Sequence, residues 1–508
     1  MPQTASGLDG VTPDGFLLVL AIAVPAVAAM AAFALGRRHV ERIAFAAIAV
    51  GLAIAGAIFA AVLRTGASAV YHLGGWAPPL GVALRADGLA AAMALTAAVL
   101  IAATGLYARA DFRTPPGASE ARAPFAFWIL LLGVWTGLNT VFLTGDLFTG
   151  FVALELLTFS AVPLVCLDGR ADTLQAALRY LLFALIGSML YLVGTGLLLG
   201  AYGTLDIVLL SERVRPDAAT YAAAALMTVG LLAKTALFPL HLWLPPAHAG
   251  APPAASAVLS ALVIKGSFFL VVRLWFDVMP GLPGYAAAQL LAALGAGAIL
   301  FGSAIALRQV RLKLLIAYST VAQIGYLFLM FPLAFNPASA EIESGIALTA
   351  GMVQAISHAI AKAAMFMAAG SVYVALGHDR IAGLAGIGRA LPMSVWAFGL
   401  AGISLIGLPP SGGFAAKWLL LAAAVGTGQW WWALVVMVGG LLTAGYVFLV
   451  LAYALRTADE PVMLLAPVSR SGEAVALALA VCSALLGLAA LDPTNVLQIG
   501  RSPAGLGG

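Results

Sequence analysis

The chain has 508 residues, of which 63% are hydrophobic and 9% are charged, and its mean hydropathy is +1.05. A soluble domain carries about 25% charged residues, so this composition excludes a soluble protein and indicates a polytopic membrane protein. The net charge of +4 comes from basic residues scattered through short loops without any dense run. That pattern excludes nucleic-acid binding and favours control of membrane topology.

Apolar runs of membrane-spanning length fill the chain in order. A run of about 20 residues crosses a hydrocarbon core of about 30 Å as an α-helix, and strand-like alternation is absent. The first run lacks the basic residues that precede the apolar core of a cleaved signal peptide, so we take it as the first spanning helix. The sequence predicts an all-α polytopic membrane protein with about 14 transmembrane helices, at roughly 16–35, 41–63, 86–107, 124–144, 147–167, 176–200, 218–240, 254–276, 284–307, 312–333, 344–376, 391–424, 430–455 and 473–491.

The loops predict the orientation of the chain. Assigning them alternately to the two sides puts fifteen lysines and arginines on one side and six on the other. The positive-inside tendency then places both termini on the non-cytoplasmic face. We expect a multi-pass protein of a bacterial inner (cytoplasmic) membrane. The polar stretches 108–123 and 456–472 are too short to hide a soluble domain.

Two apolar stretches are interrupted by prolines, and both carry lysine. Leu231–Gly266 contains five prolines together with Lys234 and Lys265, and Leu405–Leu420 contains a Pro-Pro-Ser-Gly-Gly break followed by Lys417. A lysine at a helix centre costs at least about 2.5–3.5 kcal/mol in a membrane, so these residues predict an ion path. Two broken segments separated by several helices are typical of an inverted-repeat transporter core.

The division of basic residues supports this interpretation. Four of the five lysines lie in apolar runs, Lys313 being the exception, whereas the loops use arginine. A buried lysine can release its proton near neutral pH and arginine cannot, so the pattern suits proton transfer. A genome that favours arginine, together with lysines that extend to the membrane surface, is the alternative explanation.

Other ionisable residues in apolar segments extend the candidate set. Glu155 requires a cation, and pairing with Lys234 is the hypothesis, with a purely structural ion pair as the alternative. His358 and Lys362 lie four residues apart and therefore on one helix face, where histidine is suited to relay protons. His241 and His248 are secondary candidates, because a proline-rich loop could simply expose them to water.

The chain offers no sign of a cofactor or metal site. Cys166 and Cys482 lie in separate apolar segments and are predicted to be small core residues. Neither a CxxC pair, a nucleotide-binding fingerprint nor a set of haem ligands is present. Any redox chemistry is therefore expected in partner subunits, and whether the assembly is an enzyme is left open.

Five long motifs, taken together, resemble one family. They are GDLFTGFVALELL, KTALFPLHLWLPPAHAGAPPAASAVLSALVIK, RLKLLIAYSTVAQIGYLF, HAIAKAAMFMAAG and GLPPSGGFAAKW. The chain resembles the antiporter-like subunits shared by Mrp-type Na+/H+ antiporters, complex I and membrane-bound hydrogenases. The resemblance implies fourteen helices, two inverted five-helix repeats with broken helices 7 and 12, and a hydrated charged axis at mid-membrane. The implied division is residues 1–110 for helices 1–3, 111–280 and 281–456 for the two repeats, and 457–508 for the last helix and tail.

Carried over by motif, the resemblance assigns roles to five residues. Glu155 resembles the glutamate of helix 5 that pairs with the lysine of helix 7, here Lys234. Lys265 resembles the lysine of helix 8, His358 the relay histidine of helix 11, and Lys417 the terminal lysine of helix 12. A lysine at the last position favours the D-type Mrp protein or the N-type complex I protein over the M type, and Lys362 further suits the D type. Because the chain ends soon after its last helix, the L-type complex I protein and the A-type Mrp protein are not expected.

Two functions from different classes remain open at this stage. One is a proton-translocating, D-like component of a Mrp-type cation (Na+)/H+ antiporter, with protons and a candidate Na+ as the ions. The other is the pumping component of NADH:quinone oxidoreductase or of a membrane-bound hydrogenase. Both imply other hydrophobic subunits as partners. A non-pumping scaffold is disfavoured by five costly buried groups, and an ordinary solute carrier by the motifs.

Overall fold

The computed structural model describes residues 10–36, 38–112, 122–342, 345–458, 462–489 and 493–501. The helices up to the first predicted break are α1 (Phe16–Leu35), α2 (Val40–Thr65), α3 (Gly88–Ala108), α4 (Arg122–Leu143), α5 (Leu147–Val165), α6 (Ala171–Tyr202), α7 (Ile207–Arg213) and α8 (Ala218–Thr235). Those that follow are α9 (Leu244–Gly250), α10 (Pro253–Val258), α11 (Ile264–Arg273), α12 (Gly284–Leu307), α13 (Leu312–Leu333), α14 (Gly345–Leu376), α15 (Ile387–Ala390), α16 (Pro392–Ile406), α17 (Gly412–Gly426), α18 (Trp430–Ala454), α19 (Arg470–Ala489) and α20 (Pro493–Gln498).

The prediction of an all-α polytopic membrane protein is confirmed. In the part of the chain that the structure describes, 13 helices are long and apolar enough to cross a membrane. One of them, Pro253–Val278, joins α10 and α11 through the π-helical turn Leu259–Val263 and ends in a second π-helical turn. The predicted run 391–424 is present as the two shorter helices α16 and α17, so it is broken as expected.

A small hairpin was not predicted. Strand β1 (Ala69–His72) pairs antiparallel with β2 (Ala83–Ala86), in the connection between α2 and α3. Each strand has only four residues, which is too short for the alternation of apolar and polar residues to be recognised in the sequence.

The first break lies where the prolines predict it. Helix α8 ends at Thr235 because Ala236 adopts a φ of 58° and Pro239 follows, and α9 starts again at Leu244 with two prolines in its first turn. The indole nitrogen of Trp243 donates to the Ala233 carbonyl at 3.0 Å, which satisfies a backbone group freed by the break. Broken helices are tolerated at membrane depth when such groups find partners.

The second break uses glycine and a helix cap. Helix α16 ends at Gly407, whose φ of 89° suits glycine, and Pro409 follows. Helix α17 then begins after Ser411, whose hydroxyl accepts from the Phe414 backbone N–H at 3.1 Å. The carbonyls freed at the end of α16 therefore face the start of α17, which carries Lys417.

The helix that carries Lys265 runs through the centre of the bundle. An 18-residue window of Pro253–Val278 is 100% buried, against 28% for α1 at the periphery. Helix α13, which packs beside it, is 89% buried over its window. Charged side chains on these helices are therefore surrounded by protein, where ionisable residues of membrane proteins serve function.

The prediction that both cysteines are core residues is wrong, whereas the sidedness of the termini and the boundaries of the repeats stay predictions. Cys482 is exposed on α19 and Cys166 is half-buried, so neither is a core residue. The sidedness of the termini concerns residues 1–9 and 502–508, which lie outside the described ranges. The domain boundaries of the two repeats also stay a prediction.

Candidate functional site

Glu155 and Lys234 form a buried ion pair between α5 and α8. The Lys234 Nζ lies 3.2 Å from the Glu155 Oε1, and it also donates to the Thr158 hydroxyl at 2.8 Å. The Ser188 hydroxyl on α6 donates to the same carboxylate oxygen. The pair thus has the hydrogen-bonding partners that a buried ion pair requires.

Two glycines bring these helices together. A side chain at Gly230 on α8 would meet the Gly187 carbonyl of α6 at 2.3 Å, and one at Gly187 would meet the Gly230 carbonyl at 2.6 Å. Small residues permit this close approach of helices in membranes. Since Gly230 is one turn before Lys234, the glycine contact sets how closely α8 approaches α6 near the lysine.

A small cavity adjoins the Lys234 ammonium. Its lining includes Thr158 and also Val263 and Ser267, which belong to the helix that carries Lys265. It has room for about one water molecule. The Ser267 hydroxyl accepts a hydrogen bond from the Thr235 hydroxyl at 2.9 Å, so polar groups connect α8 to α11 at this level.

Lys265 is fully buried and has no acidic hydrogen-bond partner among the described residues. Its Nζ donates to the Ser260 carbonyl at 2.6 Å, within the π-helical turn that precedes it. A π-helical turn frees carbonyls from the regular helical pattern, and such turns are frequent at functional sites. The Ser260 hydroxyl lies 2.9 Å from that of Thr320 on α13.

Lys362 lies on α14 and is also fully buried. Its Nζ donates to the Ile316 carbonyl at 2.9 Å and to the Ser319 hydroxyl, both on α13. Lys362 is close enough to Lys265 to act on it electrostatically. The structure therefore brings together two lysines that lie 97 positions apart in the sequence.

His358 lies among three lysines. Lys265, Lys362 and Lys417 all act electrostatically on its ring, and the side chain is 1% exposed. Neither ring nitrogen has a hydrogen-bond partner among the described residues. Buried polar atoms in native proteins are nearly always bonded to protein or to ordered water, so this ring requires water beside it.

Lys417 occupies the second break. Its Nζ donates to the carbonyls of Leu405 and Ile406 at 2.6 and 3.0 Å, and it lies 4.3 Å from the ring centre of Tyr326. The backbone carbonyls freed by the end of α16 and the aromatic face thus stabilise the ammonium without any carboxylate.

The two histidines of the first break have different surroundings, and both are buried rather than exposed to water. His241 packs against Phe238 and Phe301, with ring centres 5.5 and 5.3 Å away, and it lies apart from the lysine cluster. His248 is 0% exposed, and Lys265 and Lys362 act on it electrostatically. The structure therefore adds His248 to the cluster and leaves His241 outside it.

Sequence reasoning missed two buried basic residues. Lys313 was grouped with the loop charges, but it is 6% exposed, and its Nζ donates to the Ala251 carbonyl at 2.5 Å. Arg273 is one of the six basic residues that the topology prediction assigns to loops of the less basic side, but it pairs with both Asp87 oxygens at 2.6 and 2.7 Å and with Asp277 at 2.7 Å. The sequence feature that could have indicated their burial is that both residues directly adjoin long apolar runs.

The arrangement as a whole is a series of protonatable groups across the bundle. At one end lies the Glu155–Lys234 pair, in the middle lie Lys265, Lys362 and His358, and at the other end lies Lys417. Beyond the Glu155–Lys234 pair, no direct hydrogen bond joins one member of the series to the next among the described residues. Lysine and histidine are both able to accept and release a proton, which is the chemistry that the series offers.

Comparison with known proteins gives consistent matches. The family described as "NADH:quinone oxidoreductase/Mrp antiporter, TM" matches residues 144–443. The chain is 34% identical to the N-type subunit of the NADH-quinone oxidoreductase of Desulforudis audaxviator, with 86% of each chain covered. It is 28% identical to the D-type subunit of the Na(+)/H(+) antiporter of Bacillus subtilis, with 78% of each covered. A chain of the Mrp complex from Dietzia sp. DQ12-45-1b superposes with a TM-score of 0.85 and 26% identity, over 97% of this chain and 98% of that one.

Proposed function

Because the chain belongs to the NADH:quinone oxidoreductase/Mrp antiporter transmembrane family, we propose that it moves protons within a multisubunit membrane complex. The observation that carries this proposal is the buried series of protonatable groups from Glu155 to Lys417. Each member is costly to bury in a membrane, and packing alone offers no reason to place three lysines around one histidine.

The ion pair is proposed to act as an electrostatic gate. While Glu155 lies 3.2 Å from Lys234, the carboxylate stabilises the protonated lysine. Separation of the two removes that stabilisation, so Lys234 releases its proton towards Lys265 through the cavity between α8 and α11. Protons then pass by way of His358 to Lys417 at the second break.

The first test of this mechanism is Lys234→Ala in the intact complex. We expect transport in proteoliposomes to be lost while the complex purifies in normal amount, because the helix contact at Gly230 remains. Arg64→Ala is the matched control, since its side chain is 73% exposed and pairs with Asp14 at the surface. Unimpaired transport by Lys234→Ala would exclude the proposed pathway.

As to subtype, we propose a D-like component of a Mrp-type cation (Na+)/H+ antiporter. The likeness to the Mrp complex over nearly the whole of both chains, together with Lys417 and Lys362, supports this assignment. The 34% identity to an N-type protein favours a second candidate, the pumping component of a complex I-like oxidoreductase. Either assignment implies other membrane subunits as partners. The excess of lysine and arginine in the loops of one side supports a cytoplasmic membrane with both termini outside the cytoplasm.

Identification of the partners distinguishes the two subtypes. The tagged chain is extracted in mild detergent, and the proteins that purify with it are identified by mass spectrometry. Small hydrophobic subunits alone are expected for an antiporter. Subunits with iron–sulfur, flavin or nickel–iron centres would instead assign the chain to a redox-driven pump, in which this chain supplies no redox group of its own.

We also propose that the fourth to eighth transmembrane helices, within residues 111–280, and the ninth to thirteenth, within residues 281–456, are the two inverted repeats. These numbers count transmembrane helices and differ from the labels α1–α20. Helices α6 and α14 are both 32 residues long, and each has a polar side chain near its middle that contacts the preceding helix. Ser188 donates to Glu155 in the first case, and Lys362 donates to Ser319 in the second. The proposed repeats thus place different groups at corresponding positions.

A further inference from the structure

Lys313 is a buried lysine that the proposed pathway does not use. It lies in the first turn of α13, and its Nζ is held by the Ala251 carbonyl, at the end of α9, at 2.5 Å. A lysine this close to a helix end can extend its ammonium to the membrane surface. The ammonium of Lys313 instead lies inside the protein, which demands an explanation.

The outer side of Lys313 faces a charged surface. Its backbone N–H donates to the Asp379 carboxylate at 3.2 Å, and that carboxylate pairs with Arg311 at 2.9 Å. The Arg311 side chain is 47% exposed, so this pair lies at the protein surface. Arg170 and Asp168, on the loop before α6, also act on Lys313 electrostatically. These residues belong to the side to which the topology prediction assigns fifteen lysines and arginines, which we call the arginine-rich side.

The inner side of Lys313 adjoins His248. The Ser256 hydroxyl donates to the carbonyls of His248 and Ala251, at 2.7 and 3.1 Å, and the latter carbonyl is the one that holds the Lys313 ammonium. His248 is fully buried, and no side chain among the described residues bonds to either of its ring nitrogens. Lys265, Lys362 and Lys313 all act electrostatically on its ring.

We propose that Lys313 and His248 form the access arm through which the buried lysines exchange protons with water on the arginine-rich side. This inference rests on the proposed function. In the inward direction, protonated Lys313 gives its proton to a ring nitrogen of His248 through water, and neutral Lys313 takes a new proton from the surface. His248 then passes its proton to neutral Lys265 or Lys362. One proton enters from the surface and one is delivered to Lys265 or Lys362, so Lys313 and His248 return to their starting protonation states.

The decisive test compares two replacements of Lys313 in the intact complex, reconstituted in proteoliposomes. Lys313→Arg keeps the positive charge and donors to Ala251, but arginine does not release a proton under working conditions. We expect this variant to assemble normally and to transport protons at least tenfold more slowly. Transport at the wild-type rate would show that Lys313 only anchors α9 to α13, and would overturn the inference.

Chemical rescue provides a readout that a structural anchor would not give. Lys313→Ala leaves space near the surface for a small primary amine, so ethylamine added on the arginine-rich side is expected to restore a measurable part of transport. Ethylamine should have no such effect on Lys313→Arg, where the space is filled. Absence of rescue in an assembled Lys313→Ala complex would count against a proton-carrying role.

His248 is tested with a matched histidine control. His248→Phe places a ring of similar size between Trp243 and Phe366, whose ring centres lie 6.3 and 6.0 Å from that of His248. We expect at least a tenfold loss of transport, and no loss for His39→Phe, since His39 is exposed. Normal transport by His248→Phe would overturn the proposed arm. Lys234→Ala, measured in parallel, distinguishes failure of the proposed function from failure of the access arm. If Lys234→Ala loses transport while the Lys313 and His248 variants transport normally, the pathway through Lys234 is supported and the access arm is refuted.

Discussion

The glycine contact between α6 and α8 gives the sharpest test of the geometry around Lys234. In Gly230→Ala, the added carbon would lie 2.3 Å from the Gly187 carbonyl oxygen, whereas ordinary contacts begin at 3.4 Å. The two helices must therefore separate by about 1 Å at this level. Lys234 lies one turn further along α8, so its ammonium moves away from Glu155 and Thr158 by a similar distance.

The size of the effect follows from this displacement. The Lys234–Glu155 distance of 3.2 Å would exceed 4 Å, the limit for an ion pair. A misplacement of about 1 Å at a reacting group can cost about 100-fold in rate, so we expect transport to fall by about ten- to 100-fold. Overpacking also destabilises by about 1–3 kcal/mol. This outweighs or cancels the gain of about 1 kcal/mol that alanine normally brings over glycine within a helix.

The assay measures proton transport by the intact complex in proteoliposomes with a pH-sensitive dye, normalised to the amount of assembled complex. Gly196→Ala is the matched control, because a side chain at Gly196, also on α6, would meet nothing within 4 Å. We expect Gly196→Ala to transport normally. If Gly230→Ala assembled and also transported normally, the position of Lys234 against α5 and α6 would not matter, and the gating mechanism would be wrong.

Three further predictions concern the partners of buried charges. Glu155→Gln should lower transport about tenfold without loss of assembly, because the amide cannot stabilise protonated Lys234 by charge, while Glu155→Asp should retain more activity in the same dye assay. Thr158→Val removes the hydroxyl that lies 2.8 Å from the Lys234 Nζ, and a several-fold slower rate is expected; an unchanged rate would exclude that hydroxyl from the pathway. Asp87→Asn should destabilise the protein by about 1–3 kcal/mol in thermal unfolding, because it removes one of the two carboxylates that pair with the buried Arg273 guanidinium and leaves only Asp277 of the two. Burial alone would raise the pKa of Asp87, but the Arg273 guanidinium outweighs it and holds that pKa below the ordinary value of 3.8. The pair therefore stabilises fully above about pH 4 and loses this contribution as the pH falls below 3.8 through the lower folded-state pKa, and Asp87→Asn should remove that acid sensitivity.

The sequence predicted the parts of the fold that depend on local composition. Long apolar runs predict helices directly, and the prolines near Pro239 and Pro409 predict the two breaks, because proline removes a backbone donor and blocks the helix. The hairpin at Ala69–His72 and the helices α7, α15 and α20 were missed, because such short elements have too few residues to show a period.

The candidate site was predicted as a set of residue types but not as an arrangement. A charge within an apolar run is visible in the sequence, so Glu155, Lys265 and Lys417 could be selected. Lys313 could not be selected, because the sequence does not show whether a lysine in the first turn of a helix directs its ammonium outward to water or inward to a backbone carbonyl. Which lysines surround His358 depends on how distant helices pack, and the sequence of one helix carries no record of its neighbours.

The distribution of opposite charge along the series has a consequence for how protons move. Lys234 has a carboxylate partner, whereas the hydrogen bonds of Lys265, Lys362 and Lys417 described in the structure go to carbonyls and one hydroxyl. Several ammonium groups around one histidine, in a medium of low dielectric constant and without a counter-charge, repel one another strongly. Protonation of one member therefore disfavours protonation of the next, and the series holds few protons at a time. Under the proposed mechanism, a proton added at one member of the series favours release of a proton from the next. The protonation state of the Glu155–Lys234 pair therefore influences the protonation of the distant Lys417.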